Sequence, residues 1–322
     1  MHPVAGLCGT AMVTRGGSVA AEVAGGLADI EADVPCAPAT RFQLCSVSKQ
    51  FTAAAVMLLA ESGQLDLQEP VTRWLPGSLP QWRQVTLHHL LSHTAGVPHW
   101  LEGPGLDPAE PMPISDRLTM IQGAPLRSEP GGQWHYSSPG FLLAALIVAR
   151  ASGQPYREFV AERILSPLKL TQTTAGGVPD KAARGYRDNQ PVPPWDLAAM
   201  PGTGDLWSTA GDLARFTAAL HSGELVTASS LRMMCTAHAA LDDDDDSEPR
   251  LITTGYGYGM FTGTFAGHPA FYHPGDNPGY QSFAGWIPDR AASIVVLLND
   301  EAANLTGLLK QLLPAALGPS AS

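Results

Sequence analysis

Apolar residues recur at two different periods along this chain, and the change of period divides it. From Val47 to about Glu61 they fall at helical spacing (Phe51, Ala54, Ala55, Leu58, Leu59), and Gly63 stands where such a helix would end. The stretch PGFLLAALIVARASG (139–153) is apolar almost throughout, with Pro near its start and Gly just past its end, and predicts a buried helix. Further helices are predicted near 86–92, at 155–165, over STAGDLARFTAAL (208–220), and over ANLTGLLKQLLPAAL at the end of the chain. Residues 10–15 and 18–25 predict two strands joined by Gly16-Gly17, a hairpin signal. In the last third, YGYGMF, AFYHPG, QSFAGWIP and SIVVLL are short aromatic and β-branched runs between Gly, Pro and Asn, the pattern of antiparallel strands. Residues 70–135 are rich in Pro and Trp and predict mostly loops around the short helix.

The order is strands, helices, strands, helix. A two-stranded hairpin is marginal alone, so the first two strands are expected to join the C-terminal sheet. That implies an α+β fold: an antiparallel sheet flanked by helices, with a mainly helical segment inserted. The expected division is residues 1–75 with 205–322 around the sheet, 76–204 as the insertion, and the active site between them.

Composition narrows the functions. The chain has 322 residues, 44% of them hydrophobic and only 15% charged, enough for a large core. Its formal net charge is −11 and no Lys/Arg cluster occurs, which argues against nucleic acid and anionic membrane surfaces as partners. The longest apolar stretch, FLLAALIVA (141–149), is far short of the ~20 residues of a spanning helix. The N-terminal residues lack a basic, apolar leader pattern. A cytoplasmic protein is therefore expected, or a periplasmic or secreted one if a leader was removed. Cys8, Cys36, Cys45 and Cys235 form no C-x-x-C pair, and the plain reading is small buried thiols in a reducing compartment. Asp242 to Asp246 are five adjacent carboxylates, expected to repel one another in a solvated surface loop.

Candidate chemistry begins with CSVSKQF (45–51). At the first turn of a helix, Ser46 and Lys49 lie at i and i+3 on one face. The positive end of the helix dipole favours negative charge developing on the hydroxyl. A lysine base needs its pKa brought down from ~10.4, and the apolar residues after Lys49 suggest the dry surroundings that would do so. The same S-x-x-K spacing recurs at Ser166 to Lys169, but LTQTTAGG follows it and predicts no helix. HYSSPG places Tyr136, Ser137 and Ser138 in a loop before a buried helix, where a tyrosine phenolate near a cation can shuttle protons. YHPGDNPGY places His273, Pro274 and Gly275 at a strand end, able to offer a backbone N–H to an oxyanion.

Other groupings have plainer explanations. His88, His89, His93 and His99 crowd LHHLLSHTAGVPH, but without H-E-x-x-H or a neighbouring carboxylate they are expected to be structural. Chelator-sensitive metallohydrolase chemistry on that cluster is the remote alternative. Glu162 in ERIL sits in a helix expected to pack elsewhere. GYGYG (255–259) lacks the strand–turn–helix context of a nucleotide loop, and no G-x-S-x-G exists. Trp100, Trp134, Trp207 and Tyr280 fall in predicted loops near the motifs, where they would line a cleft or cover the core.

S-x-x-K at 46–49, Y-S-S at 136–138 and H-P-G at 273–275 together resemble the penicillin-recognising serine hydrolases: class C β-lactamases, DD-peptidases, D-aminopeptidases and related esterases. FQLCSVSKQFTAAAVMLLAESGQLDLQEPVTRWLP, TLHHLLSHTAGVP, GDLWSTAGDLARF and HPGDNPGYQS extend the resemblance over roughly residues 10 to 315. It implies a β-lactamase/transpeptidase-like fold and a cofactor- and metal-free acyl-enzyme mechanism. Its implied nucleophile is Ser46, with Lys49 and Tyr136 sharing base and acid work. Ser138 would stand where the family often has Asn, and His273 at the position of its strand Lys or His. Backbone N–H groups of Ser46 and Asp276, beside Gly275, would hold the oxyanion. Ser138 and His273 weaken recognition of the amide and carboxylate of β-lactams and peptidoglycan stems. The resemblance thus favours an esterase or D-amino-acid peptidase/amidase acting on a small molecule or short peptide. A β-lactamase, a DD-carboxypeptidase, and a penicillin-binding sensor that acylates without turnover stay as alternatives.

Overall fold

The computed structural model describes residues 4–318 except 76, 78, 79, 103–106, 194 and 242–250. The aspartate run at 242–246 lies outside the described residues.

The frame is an eight-stranded antiparallel sheet. Across it run Ala239–Ala240, Leu251–Tyr256, Phe261–Phe265, His268–Asn277, Tyr280–Ile287, Ala292–Leu298, Gly9–Arg15 and Ser18–Gly25. The N-terminal hairpin completes the sheet by pairing Gly9–Arg15 with Ala292–Leu298. Its turn residues Gly16 and Gly17 both have positive φ, 56° and 77°, as a tight two-residue hairpin turn requires.

The strand Ala292–Leu298 is buried along its whole length because both faces of the sheet are covered. Ile294, Val296 and Leu298 pack in the cluster that contains Leu308, Leu309, Leu312 and Leu313 of the C-terminal helix Leu305–Leu317. Val295 and Leu297, on the opposite face, join the cluster holding Leu213, Phe216 and Leu220 of the helix Ala210–Ser222. That second cluster is continuous with the helical part of the molecule. It takes in Phe51, Val56 and Leu59 of the helix Ser48–Glu61 and Phe141 to Val148 of the helix Ser138–Ser152. The Phe51 and Phe216 rings stack between helices, with centroids 3.5 Å apart. At ~1.5–3 kcal/mol for each large apolar side chain withdrawn from water, this shared core ties sheet and helices together.

The helices follow their capping signals. Ser137 caps Ser138–Ser152 by accepting from Gly140 N at 3.1 Å, and Gly153 at φ 73° ends it. Thr209 caps Ala210–Ser222, and Gly223 at φ 79° ends that helix. The segment predicted at 155–165 is an α-helix, Tyr156–Val160, continued by a π-helical turn, Ala161–Leu165. Residues 70–135 hold more helix than predicted. Besides Leu87–Leu91 there is Ile114–Gly123, whose buried side comprises Arg117, Ile121 and Gln122, too polar a stripe to stand out by periodicity. Among the described residues no helix is long and apolar enough to cross a membrane.

Candidate active site

Ser46 lies in the 3-10 turn Cys45–Val47, which runs directly into the helix Ser48–Glu61. The residue before it, Cys45, is buried and has φ 48°, a left-handed conformation that costs a non-glycine residue roughly 1–3 kcal/mol and is typical of functional turns. Ser46 itself is half-buried, while Lys49 is fully buried. The Lys49 amine reaches Ser46 Oγ at 2.9 Å and the carbonyl oxygen of Thr203 at 2.8 Å. That carbonyl is fixed by its loop: Thr203 Oγ1 donates to Met200 O at 2.9 Å, and Gly202 N donates to Asp205 Oδ1 at 2.8 Å. Burial lowers the Lys49 pKa to about 7, against the opposing pull of Asp276, Cys45 and Asp205. Burial likewise pushes Asp205 up to about 6.

Tyr136 approaches from the loop before the helix Ser138–Ser152. Its ring lies 5.0 Å from the Lys49 amine. Burial raises its pKa, and contacts with the Ser46 and Ser138 hydroxyls only partly offset this. A phenolate is expected only where a cation lowers the tyrosine pKa; here burial works against the phenolate, as it works against the charged form of Lys49, and favours the phenol.

Two histidines pin the backbone next to Tyr136. His93 Nδ1 accepts from Ser137 N, and His99 Nδ1 accepts from Ser138 N, each at 3.1 Å. Their rings stand 4.4 Å and 5.4 Å from the Tyr136 ring. Both are held neutral by burial, His99 near 4 and His93 well below its ordinary value, as acceptors of backbone N–H groups must be. The other two members of that histidine group are engaged separately. His88 Nδ1 meets Tyr258 Oη at 2.7 Å, and His89 completes a capping box with Thr86.

His273 is buried in the strand His268–Asn277. On one side the strand pairs through Asn277; on the other its pairing with Phe261–Phe265 stops at Tyr272. The segment from His273 to Asn277 therefore has a free edge, and the turn Cys45–Val47 packs over this strand and its neighbour Tyr280–Ile287. Gly275 permits that approach: a Cβ there would lie 2.7 Å from Ser46 N and 2.8 Å from Cys45 Cβ. His273 Nε2 bonds Tyr256 Oη at 3.0 Å, and burial next to Lys49 drops its pKa to about 3, so it is neutral.

These groups open onto one cavity of about 430 Å³, lined by Ser46, Tyr136, Ser138, His273 and Asp276 among others. Gly275 lies just behind its wall. Trp100 and Trp134 also line it. Trp207 and Tyr280, expected in loops, instead lie in strands and pack with Cys45 in a small core beneath the site, rings 5.5 Å apart. Sequence reasoning missed Trp195, Phe261 and Thr203, which reach the cavity from distant segments without a motif, and it gave no role to Asn277, which sits within HPGDNPGYQS. Glu162 is exposed and lies outside this lining, and so does the second S-x-x-K copy, in which Ser166 and Lys169 are both exposed. All four cysteines are free thiols.

The beta-lactamase family model matches residues 4–312, and the chain belongs to that family. It is 38% identical over 200 residues to Esterase EstB of Burkholderia gladioli, covering 57% of this chain and 51% of that protein. It is 29% identical over 270 residues to the putative penicillin-binding protein PbpX of Bacillus subtilis, covering 82% of this chain and 64% of that protein. The chain thus spans about half to two thirds of the length of these curated relatives. The crystal structure of a penicillin binding protein from Bacillus halodurans superposes with a TM-score of 0.82 at 27% identity, covering 95% of this chain and 96% of that one.

Proposed function

We propose that the chain is a serine hydrolase that cleaves a carboxylic ester or amide through an acyl-enzyme on Ser46. The observation that carries this is the buried Lys49 amine, 2.9 Å from Ser46 Oγ with a pKa of about 7. At neutral pH about half of such amines are unprotonated and hold a lone pair ready for the Ser46 proton.

As that proton moves to Lys49, Ser46 Oγ bonds to the substrate carbonyl carbon, and the π electrons move onto the carbonyl oxygen. Following the family pattern, the N–H groups of Ser46 and Asp276 receive this oxyanion; one such donor is worth about 3 kcal/mol of barrier. The tetrahedral intermediate collapses by breaking the bond to the leaving group. Tyr136, a phenol in contact with the Ser46 hydroxyl, relays the proton from Lys49 to the departing oxygen or nitrogen. Water then attacks the acyl-enzyme by the same proton path, releasing the acid and restoring Ser46. We take residues 1–75 with 205–322 and the inserted 76–204 as the two sides of this cleft. Ser46, Phe261 and His273 come from the first, and His99, Trp134 and Tyr136 from the second.

Neutral His273, and Ser138 in place of an amide, favour esters and simple amides over β-lactams and peptidoglycan stems. They also motivate a second reading, a penicillin-binding sensor that acylates without turnover. A short-chain p-nitrophenyl ester separates the readings. The proposal expects steady turnover that Ser46→Ala abolishes. A single burst leaving a stable adduct on Ser46 would favour the sensor, and undiminished hydrolysis by Ser46→Ala would overturn both.

A further inference from the structure

We propose that the cleft selects acyl substrates bearing an alkylammonium group, with the Asp276 carboxylate and the aromatic wall as the specificity-determining elements. This rests on the serine hydrolase reading above. Asp276 lines the same cavity as Ser46 and directly follows Gly275, where a Cβ would lie 2.7 Å from Ser46 N. Its side chain is exposed, and among the described residues no hydrogen bond or ion pair engages its carboxylate. A free anion beside the reacting centre attracts a substrate cation and repels a substrate carboxylate.

No fixed positive charge in the lining offsets it. His99 and His273 are neutral at physiological pH. Lys49 lies near enough for Asp276 to pull its pKa upward, but it donates to Ser46 Oγ and Thr203 O, and burial holds its pKa at about 7, so at pH 8 most of these amines are neutral. The Arg117 guanidinium lies 5.5 Å from the Trp100 ring, donates to the carbonyls of Asp107 and Glu110, and has the carboxylates of Asp107, Asp196 and Glu110 around it. Much of the wall is aromatic: Trp100, Trp134, Trp195 and Phe261 line the same space. Aromatic rings together with one carboxylate make a receptor for an organic ammonium, which gains both ring and ion-pair attraction. A cavity of about 430 Å³ holds a small acyl chain of this kind.

The test uses three p-nitrophenyl esters of matched shape: 4-(trimethylammonio)butanoate, its neutral isostere 5,5-dimethylhexanoate, and the glutarate half-ester. Values of kcat/KM at pH 8 are compared for wild type and Asp276→Asn. Wild type is expected to prefer the cationic ester over the neutral one by about tenfold, the scale of one partly exposed ion pair with a ring contact, and to disfavour the anionic one. Asp276→Asn should bring the cationic-to-neutral ratio close to one. The ratio is the readout because any change in Lys49 acidity affects both esters alike. In wild type the preference should also shrink as salt is raised. A wild type indifferent to charge, or a preference that survives both Asp276→Asn and high salt, overturns this inference alone. If none of the esters acylates Ser46, the serine hydrolase reading fails first.

Discussion

Two copies of one four-residue motif sit in this chain with opposite fates. Ser46 and Lys49 lie where a 3-10 turn becomes an α-helix, so the lysine projects back toward the serine on one face. That face is covered, and the amine is fully buried. Ser166 and Lys169 have the same spacing, but there the chain is leaving a helix: Lys169 has φ 55° and both side chains are in water. Spacing alone thus does not set a lysine's environment. The chemistry proposed for Ser46 would come from withdrawing an ammonium from water, which lowers its pKa, and from a partner oxygen within hydrogen-bond reach.

The sharpest way to break the comparison is to remove both lysines in turn. Lys49→Met should reduce ester hydrolysis by about a thousandfold, the scale of a lost general base, and Lys169→Met should leave it unchanged. Stability should move the other way. A buried amine with a pKa of about 7 in place of 10.5 costs the fold about 5 kcal/mol when protonated. The unfolded chain keeps the proton up to 10.5 and the folded chain gives it up near 7. Stability from this group therefore rises with pH between those values and is lowest below 7. Lys49→Met is expected to melt several degrees higher than wild type at pH 6 in calorimetry, and an unchanged or lower melting temperature would argue that the amine is not strained by burial. Next in size, Gly275→Ala places a methyl group 2.7 Å from Ser46 N and should cut kcat about a hundredfold by pushing the turn Cys45–Val47, which carries the proposed nucleophile, off the strand. The smallest effect is at the phenol. His99→Ala frees the Ser138 N–H and should lower kcat about tenfold by loosening Tyr136, whereas His99→Asn, whose side-chain oxygen can still accept, should recover most of it. Equal losses in both variants would mean that His99 does not act through that hydrogen bond.

Sequence alone conveyed the sheet and the Ser46–Lys49 pairing better than the cleft lining. SIVVLL announces a strand because both its faces are buried, and Gly16-Gly17 announces the hairpin because the turn needs two positive φ values. Ile114–Gly123 was hidden because its buried stripe includes Arg117 and Gln122. The cleft lining was hidden for a different reason: Trp195, Phe261 and Thr203 meet only through the tertiary fold, and no local pattern marks them. The histidines of LHHLLSHTAGVPH showed as a cluster, yet the roles of His93 and His99 emerge only once Ser137 N and Ser138 N are seen facing their rings. The burial that disfavours a phenolate at Tyr136 cannot be seen in HYSSPG.

The central claim is that an uncharged Lys49 activates Ser46. Its most direct test is the pH dependence of covalent labelling by a fluorophosphonate, with the modified residue mapped by mass spectrometry. The account predicts a labelling rate that climbs through an apparent pKa near 7 to a plateau, with the adduct on Ser46. A rate that is flat from pH 5 to 9, or an adduct on any other residue, would contradict it.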